Sequence, residues 1–104
     1  MAVHIASDET FDELIAEGVS IVDFFSTHCG PCRALLPTLM EIEAEMPFIN
    51  LVKINTDDCP QLADRFMIST LPTIYLAKDG VMTEYKGLLE FEPLSEAVAA
   101  LLYE

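Results

Sequence analysis

Two cysteines separated by two residues are the part of the sequence best suited to chemistry. Cys29 and Cys32 flank Gly30-Pro31, between an apolar run that ends at Phe25 and a helical pattern that begins at Arg33. Free backbone N–H groups and the helix dipole favour an anion at the amino end of a helix, and the thiolate is the nucleophilic form of cysteine. The two sulfurs can also bond to each other. The motif therefore predicts a dithiol that exchanges two electrons with a disulfide.

Length and charge narrow the class of protein. The 104 residues suit one domain, spanning 1–104. The net charge of −13 argues against nucleic acid and anionic membrane as partners, and the longest apolar run is far short of the roughly 20 residues of a membrane span. The amino end lacks the pattern of a signal peptide, which predicts a cytoplasmic protein. Three cysteines, an odd number, do not suggest a disulfide framework.

The apolar periodicity predicts the element order β-α-β-α-β-α-β-β-α. The predicted strands cover 3–6, 21–25, 48–55, 71–77 and 81–85, and the predicted helices follow Thr10, cover 33–46 and begin at Pro60 and Pro93. Ser7 or Asp8 can cap the first helix, a capping box is expected at Thr10 and Glu13, and a hairpin turn is expected at Lys78-Asp79-Gly80. Right-handed crossovers in the first half give a mixed α/β fold, with four to five strands flanked by about four helices.

Asp23 interrupts an otherwise apolar strand. A buried carboxylate is costly when ionised, because burial disfavours the charged form. One interpretation is a residue at the strand edge that reaches solvent. The favoured interpretation is a partly buried acid that accepts or releases a proton during the chemistry of the cysteines.

These segments together resemble the thioredoxin family along nearly the whole chain. The likeness lies in Val22-Asp23-Phe24, Cys29-Gly30-Pro31-Cys32, Lys53-Ile54-Asn55-Thr56-Asp57, Leu71-Pro72-Thr73, Lys78-Asp79-Gly80 and Gly87. The resemblance implies the thioredoxin fold and a small cytosolic reductase of protein disulfides. It implies no bound cofactor, no metal and a monomer. The implied partners are a thioredoxin reductase, either NADPH–flavin or ferredoxin-linked, and proteins that contain disulfides.

The resemblance also implies roles for the residues at the matching positions. Cys29 would be the attacking thiolate, and Cys32 would resolve the mixed disulfide. Asp23 would accept the proton of Cys32, with Lys53 beside that carboxylate. The remaining matching residues would shape the site or line a substrate groove: Gly30, Pro31 and a cis Pro72 for the first role, and Thr70, Leu71 and Gly87 for the second.

Two aromatic positions depart from the family pattern. Phe25 and His28 stand where thioredoxins usually carry tryptophan. Phe25 keeps an aromatic residue in the core. His28 places a titratable group beside Cys29, and one hypothesis is that protonated His28 stabilises the thiolate and makes the protein less reducing than typical thioredoxins. The alternative is that His28 faces solvent and alters only docking.

Three other functions are weaker interpretations. Cys29, Cys32, Cys59 and a histidine could bind zinc, although a second close pair of ligands is missing. The domain could be a binding module without obligatory redox turnover, or an oxidant or isomerase. Cys59 itself is expected to be a surface or turn thiol, with a regulatory or glutathionylated role as the alternative.

Overall fold

The computed structural model describes residues 2–104, and its elements follow the predicted order. The strands are β1 Ala2–Ile5, β2 Val19–Phe25, β3 Asn50–Asn55, β4 Thr73–Lys78 and β5 Val81–Tyr85. The helices are α1 Phe11–Leu14, α2 Gly30–Glu45, α3 Pro60–Arg65 and α4 Phe91–Leu102. The prediction of a mixed α/β fold with about four helices is confirmed.

The five strands form one sheet in the order β1-β3-β2-β4-β5. β1, β3 and β2 are parallel, and β4 and β5 are antiparallel to their neighbours. β2 is therefore the central strand, and its burial on both faces explains why its sequence is almost continuously apolar. The loop that leaves β2 leads directly into α2, which places the start of that helix at the carboxyl end of the central strand.

Two apolar clusters cover the two faces of the sheet. On one face, Ile21 of β2 belongs to a cluster with residues of α2 and α4, including Leu39 and Leu94. On the other face, Phe24 belongs to a cluster with residues of α1 and α3, including Phe11. Alternate side chains of β2 thus enter opposite halves of the core. Asp23 has the parity of Ile21, so it lies on the face covered by α2 and α4.

The hairpin between β4 and β5 is the one predicted. Asp79 and Gly80 have φ angles of 50° and 87°, the pair of left-handed conformations that matches the twist of a two-residue β-hairpin. Asp79 also accepts a hydrogen bond from the backbone N–H of Gly18 at its Oδ1, with a distance of 2.8 Å. That contact ties the hairpin to the segment before β2.

The predicted capping box of α1 is wrong in its register. Within residues 2–104, Thr10 makes no side-chain cap at α1. Instead, the Ser7 backbone N–H donates to Thr10 Oγ1 at 2.9 Å, and the Thr10 N–H donates to Ser7 Oγ at 3.2 Å. This reciprocal pair starts the turn three residues earlier, which leaves Glu13 outside the cap.

Candidate active site

The cysteine pair lies at the amino end of α2. Cys29 and Cys32 form a disulfide with their Cα atoms 5.3 Å apart. Cys29 has an extended backbone and occupies the N-cap position, where its Sγ accepts the backbone N–H of Cys32 at 3.1 Å. α2 therefore begins at Gly30 rather than at the predicted residue 33, because the Cys29 sulfur serves as the cap. Cys32 is 5% exposed, whereas Cys29 is partly exposed.

The loop before Cys29 is fixed by hydrogen bonds to neighbouring elements. The Arg33 guanidinium donates to the carbonyl oxygen of Thr27 at 2.9 Å, and Asn55 Nδ2 donates to Thr27 Oγ1 at 3.1 Å. The backbone N–H of Thr56 donates to the carbonyl oxygen of Phe25 at 2.8 Å. The sequence analysis did not single out Thr27, Asn55 or Thr56 for these contacts, since the bonds made by Asn55 and Thr56 join residues 28 and 31 positions apart.

Asp23 is buried in the centre of the sheet, with 1% of its surface exposed. Its neighbour across the parallel ladder is Lys53, whose Nζ lies 3.7 Å from Asp23 Oδ2. Burial raises the pKa of Asp23 from 3.8 to about 6, and the nearby positive charge of Lys53 opposes this only in part. The alternative of a solvent-reaching carboxylate at the strand edge is wrong, because β2 is internal and α2 and α4 cover this face.

Lys53 is held by a second contact, and it connects the buried acid to the loop before the cysteines. Its Nζ lies 4.3 Å from the centre of the Phe25 ring, a distance at which the ring face attracts a cation. Phe25 is only partly buried and belongs to neither apolar cluster, so the core role expected for it is wrong, and its ring contacts Lys53 instead. It also lies beside the only charged neighbour that Asp23 has within the described part of the chain.

The segment before β4 adopts the expected turn at Pro72. The Leu71–Pro72 peptide bond is cis, and β4 begins at the next residue, Thr73. Thr73 Oγ1 donates to the carbonyl oxygen of Thr70 at 2.6 Å, which closes the turn. Thr70 is exposed, and Leu71 and Pro72 are partly buried.

Gly87 leaves room for an aromatic side chain that the sequence analysis did not consider. A Cβ atom at Gly87 would lie 2.5 Å from the hydroxyl oxygen of Tyr85 and 2.7 Å from Cζ of its ring. That hydroxyl donates to the carbonyl oxygen of Leu88 at 2.6 Å. A side chain at Gly87 would therefore force the Tyr85 ring to move and would disturb its hydrogen bond to Leu88.

Cys59 was expected to be a surface or turn thiol, and it follows a turn but does not lie at the surface. It precedes α3, its side chain is 1% exposed, and its Sγ lies 3.5 Å from the carbonyl oxygen of Ala6. Burial raises the pKa of the Cys59 thiol, and the carboxylates of Asp8, Asp58 and Glu9 add to the effect. The turn position made the residue look exposed, but the packing of α3 on the chain after β1 covers it.

The ligands of the hypothetical zinc site are otherwise engaged. Cys29 and Cys32 are bonded to each other, and Cys59 contacts Ala6. Residues 2–104 contain no group of three or more His, Cys, Asp or Glu side chains that could hold a metal ion. In the same range, no helix has the length and apolar character needed to cross a membrane.

The geometry supports exchange between a dithiol and a disulfide. One sulfur is accessible and accepts a helix N–H group, the other is buried behind it, and an acid with a raised pKa lies in the adjoining strand. A pair of cysteines opening the helix that follows the central strand of such a mixed sheet defines a thiol–disulfide oxidoreductase with a thioredoxin fold.

The comparison with known proteins gives the family. The chain belongs to the thioredoxin family, whose model, Thioredoxin, matches residues 2–100. A thioredoxin of Chlamydia muridarum is 42% identical over 98 residues, covering 93% of this chain and 96% of the relative. A thioredoxin of Bacillus subtilis is 35% identical over 100 residues, covering 94% and 96%. The crystal structure of a chloroplastic thioredoxin z has a TM-score of 0.87 and 33% identity, covering 100% of this chain and 97% of the other.

Proposed function

We propose that this thiol–disulfide oxidoreductase acts as a cytoplasmic reductant of protein disulfides, with Cys29 as the attacking residue and Cys32 as the resolving residue. The observation that carries the proposal is the difference between the two sulfurs. Cys29 is partly exposed and caps α2, whereas Cys32 is buried. A partner protein can therefore reach Cys29 first. The N–H of Cys32 also favours the ionised form of Cys29.

The reaction consists of two thiol–disulfide exchanges. The Cys29 thiolate attacks one sulfur of the substrate disulfide, forming a mixed disulfide and releasing a substrate thiolate that takes up a proton. The Cys32 thiolate then attacks Cys29 Sγ, forming the Cys29–Cys32 disulfide and releasing the second substrate thiolate. The substrate gains two electrons, and the dithiol of this protein loses them.

Asp23 is the proposed acceptor of the Cys32 proton. A buried thiol needs a base before it can attack, and a carboxylate with a pKa of about 6 is mostly ionised at neutral pH. Its Oδ1 has no hydrogen-bond partner among residues 2–104, which leaves one oxygen available for a proton. Lys53, on the other oxygen, keeps Asp23 from becoming too basic to return the proton.

The residues around Pro72 form the proposed substrate groove. An extended segment of the substrate would pair with the backbone at Leu71, in the manner of an added strand, and Thr70 and Gly87 would flank it. Gly30, Pro31 and His28 are exposed beside Cys29, so the substrate would contact them as it approaches the sulfur.

The oxidised pair must be reduced again for turnover, and this requirement defines the proposed partners. A thioredoxin reductase, either NADPH–flavin or ferredoxin-linked, would supply the electrons, and disulfide-containing proteins would receive them. Reduction of this kind is sustained in the cytoplasm, where thiols are kept reduced. The protein would act as a monomer. It would need no bound cofactor, because the redox centre is the cysteine pair itself.

A trapping experiment tests the assignment of the two cysteines. With Cys32→Ser, the mixed disulfide at Cys29 cannot be resolved, so we expect covalent complexes with substrate proteins that reducing agent releases. Cys29→Ser should trap nothing, and Cys59→Ser should behave like the wild type because Cys59 is buried. Equal trapping by Cys29→Ser and Cys32→Ser would show that the roles are wrongly assigned.

The direction of the reaction needs a separate measurement. We expect the protein to catalyse insulin reduction with a thiol reductant, and to be slower as a catalyst of disulfide formation in a reduced, unfolded substrate. The Cys29→Ser/Cys32→Ser double variant is the background control. Faster disulfide formation than insulin reduction would identify an oxidant or isomerase instead, and full cellular function of the double variant would identify a binding module.

A further inference from the structure

The loop between β2 and α2 is held at Thr27 from two sides. Asn55 Nδ2 donates to Thr27 Oγ1 at 3.1 Å, and the Arg33 guanidinium donates to the Thr27 carbonyl oxygen at 2.9 Å. Thr27 precedes Cys29 by two residues. The position of Thr27 therefore influences where the chain enters α2 and where the Cys29 sulfur lies.

Asn55 is itself held in one orientation. Its Oδ1 accepts the backbone N–H of Asp57 at 2.9 Å, which directs the other end of the amide, the donor Nδ2, towards the loop. The carbonyl oxygen of Asn55 accepts the backbone N–H groups of Asp58 and Cys59, both at 3.0 Å. A single residue thus joins the end of β3, the start of α3 and the loop that carries Cys29.

The next residue fixes the other end of the same loop. The Thr56 backbone N–H and Oγ1 both donate to the carbonyl oxygen of Phe25, at 2.8 Å and 3.2 Å. Phe25 is the last residue of β2. The loop is thus anchored at Phe25 and at Thr27, and only His28 separates Thr27 from Cys29.

We propose that the hydrogen bond between Asn55 and Thr27 is a positioning contact for the redox chemistry, because it holds Cys29 where its sulfur meets the Cys32 N–H group. The inference rests on the proposed role of Cys29 as the attacking thiolate. The bond from the Cys32 N–H to Cys29 Sγ is 3.1 Å long. Hydrogen bonds weaken steeply as their geometry departs from the optimum. If the loop is released at Thr27, the bond from the Cys32 N–H group becomes weaker and the Cys29 thiolate is less well stabilised.

The contact is better suited to positioning than to folding. Thr27 is exposed and Asn55 is only partly buried, so water can solvate either group in the folded state when the bond is lost, and the net contribution of the bond to stability is small. Reactivity is more sensitive, because a displacement of about 1 Å can slow an enzymatic step by far more than it destabilises the fold. Thr27 and Asn55 are therefore positioning residues, and neither is assigned a contact with substrate.

The test compares isosteric and conservative variants. Thr27→Val removes the hydroxyl and keeps the size of the side chain, Asn55→Ala removes the donor, and Thr27→Ser retains the acceptor. For each reduced protein, the rate of Cys29 alkylation by iodoacetamide at neutral pH is measured, with mass spectrometry to assign the modified cysteine. We expect Thr27→Val and Asn55→Ala to react about threefold to tenfold more slowly, because a weaker hydrogen bond to the thiolate lowers the ionised fraction of Cys29 at neutral pH, and Thr27→Ser to stay close to the wild type.

A double variant and a stability measurement separate positioning from a structural role. Thr27→Val/Asn55→Ala should be no slower than the slower single variant, because both changes remove the same bond. If both single variants lower only the free energy of unfolding and leave the alkylation rate unchanged, the positioning role is wrong while the role of Cys29 stands. If Cys29→Ser still reduces insulin, the proposed role of Cys29 is itself wrong, and the positioning role is wrong with it.

Discussion

Lys53 Nζ lies 3.7 Å from Asp23 Oδ2, across the parallel pair of strands that forms the centre of the sheet. The distance is beyond that of a hydrogen bond, so the lysine acts on the carboxylate mainly through its charge. Burial has the larger effect on Asp23, and the pKa is raised to about 6 despite the cation. Asp23 is therefore a buried acid whose pKa lies close to neutral pH. Its ionised form destabilises the folded state.

Asp23→Asn should make the protein more stable at neutral pH. The folded-state pKa of about 6 lies above the ordinary value of 3.8, so the folded state binds the proton more tightly than the unfolded state does. The free energy of unfolding of the wild type should fall as the pH rises from about 4 to above 6, by up to about 3 kcal/mol. Asp23→Asn should not show this fall.

The measurement is denaturant unfolding at several pH values between 4 and 8 for both proteins. The unpaired Lys53 in Asp23→Asn reduces the gain without altering its dependence on pH. Lys53→Met is the informative control, since loss of the cation should raise the pKa of Asp23 further and lower the stability at neutral pH. A stability difference between wild type and Asp23→Asn that does not vary with pH would show that Asp23 has an ordinary pKa.

His28→Gln should make the reduction potential more negative if the charge of His28 stabilises the thiolate of Cys29. His28 is exposed beside Cys29, so solvent screens its charge and the expected change is small, about 10–30 mV. Equilibration against glutathione measures the potential. His28→Trp restores the ring usual in the family and tests docking. An effect of His28→Trp on substrate KM alone, with no change of potential in either variant, would favour the docking alternative.

Met67→Gly should stabilise the protein by about 1 kcal/mol. Met67 has a φ of 49° and follows α3. There the Ile68 N–H bonds to the Ala63 carbonyl oxygen at 2.9 Å and the Met67 N–H bonds to that of Asp64 at 3.1 Å. This is a Schellman ending, in which the left-handed residue is usually glycine. The Met67 side chain is 85% exposed, so little packing is lost.

The matched control for that prediction is Met67→Ala, which removes the same side chain but keeps a Cβ atom. Because the Cβ atom is the source of the strain, Met67→Ala should change the stability by less than about 0.5 kcal/mol. Urea unfolding of the three proteins gives the comparison. If Met67→Ala and Met67→Gly raise the free energy of unfolding equally, the increase comes from the loss of an exposed apolar side chain and not from relief of backbone strain.

Arg65→Ala should destabilise the protein more than Asp12→Asn does. Arg65 Nη1 lies 3.0 Å from Asp12 Oδ1, but these side chains are 50% and 70% exposed, and such pairs contribute little. The guanidinium carbon also lies 5.0 Å from the centre of the Phe66 ring and 5.7 Å from that of Phe11. Arg65 thus packs on rings of both α1 and the end of α3.

We expect a loss of about 1 kcal/mol for Arg65→Ala and less than about 0.5 kcal/mol for Asp12→Asn. Thermal and urea unfolding at low and high salt distinguish the two contributions. Added salt should weaken the ion pair and leave the packing of the guanidinium on the rings largely intact. Equal losses for the two variants, both abolished by salt, would mean that the ion pair accounts for the whole effect.

The fold was largely predictable because its signals are local. The turn at Asp79-Gly80, the apolar run of β2 and the Pro60 that opens α3 each depend on a few adjacent residues, and the structure confirms all three. Boundaries were less predictable where a side chain changes the cap. The start of α2 depends on the Cys29 sulfur, and the turn before α1 depends on Ser7 and Thr10.

The burial of polar residues was only partly predictable. Asp23 was expected to be partly buried, since its strand is otherwise apolar, and it is almost completely buried. Glu43 gave no such signal, yet it is 2% exposed on α2. Glu43 lies in the same turns of α2 as Glu41 and Glu45, which are exposed. Which helical flank is covered depends on how α2 packs in the folded chain, and the helical pattern alone does not contain that information.

The sequence by itself determined the chemistry of the site: two cysteines at a spacing that allows one bond, placed where a strand passes into a helix. Only the tertiary structure decided how that chemistry is tuned. Cys59 meets Ala6 across 53 positions, and Asn55 meets Thr27 across 28, and contacts of that range form only when the sheet brings separate strands together. The pKa of Asp23 is likewise set by burial, which the complete core imposes on β2 and which a segment of β2 alone would lack.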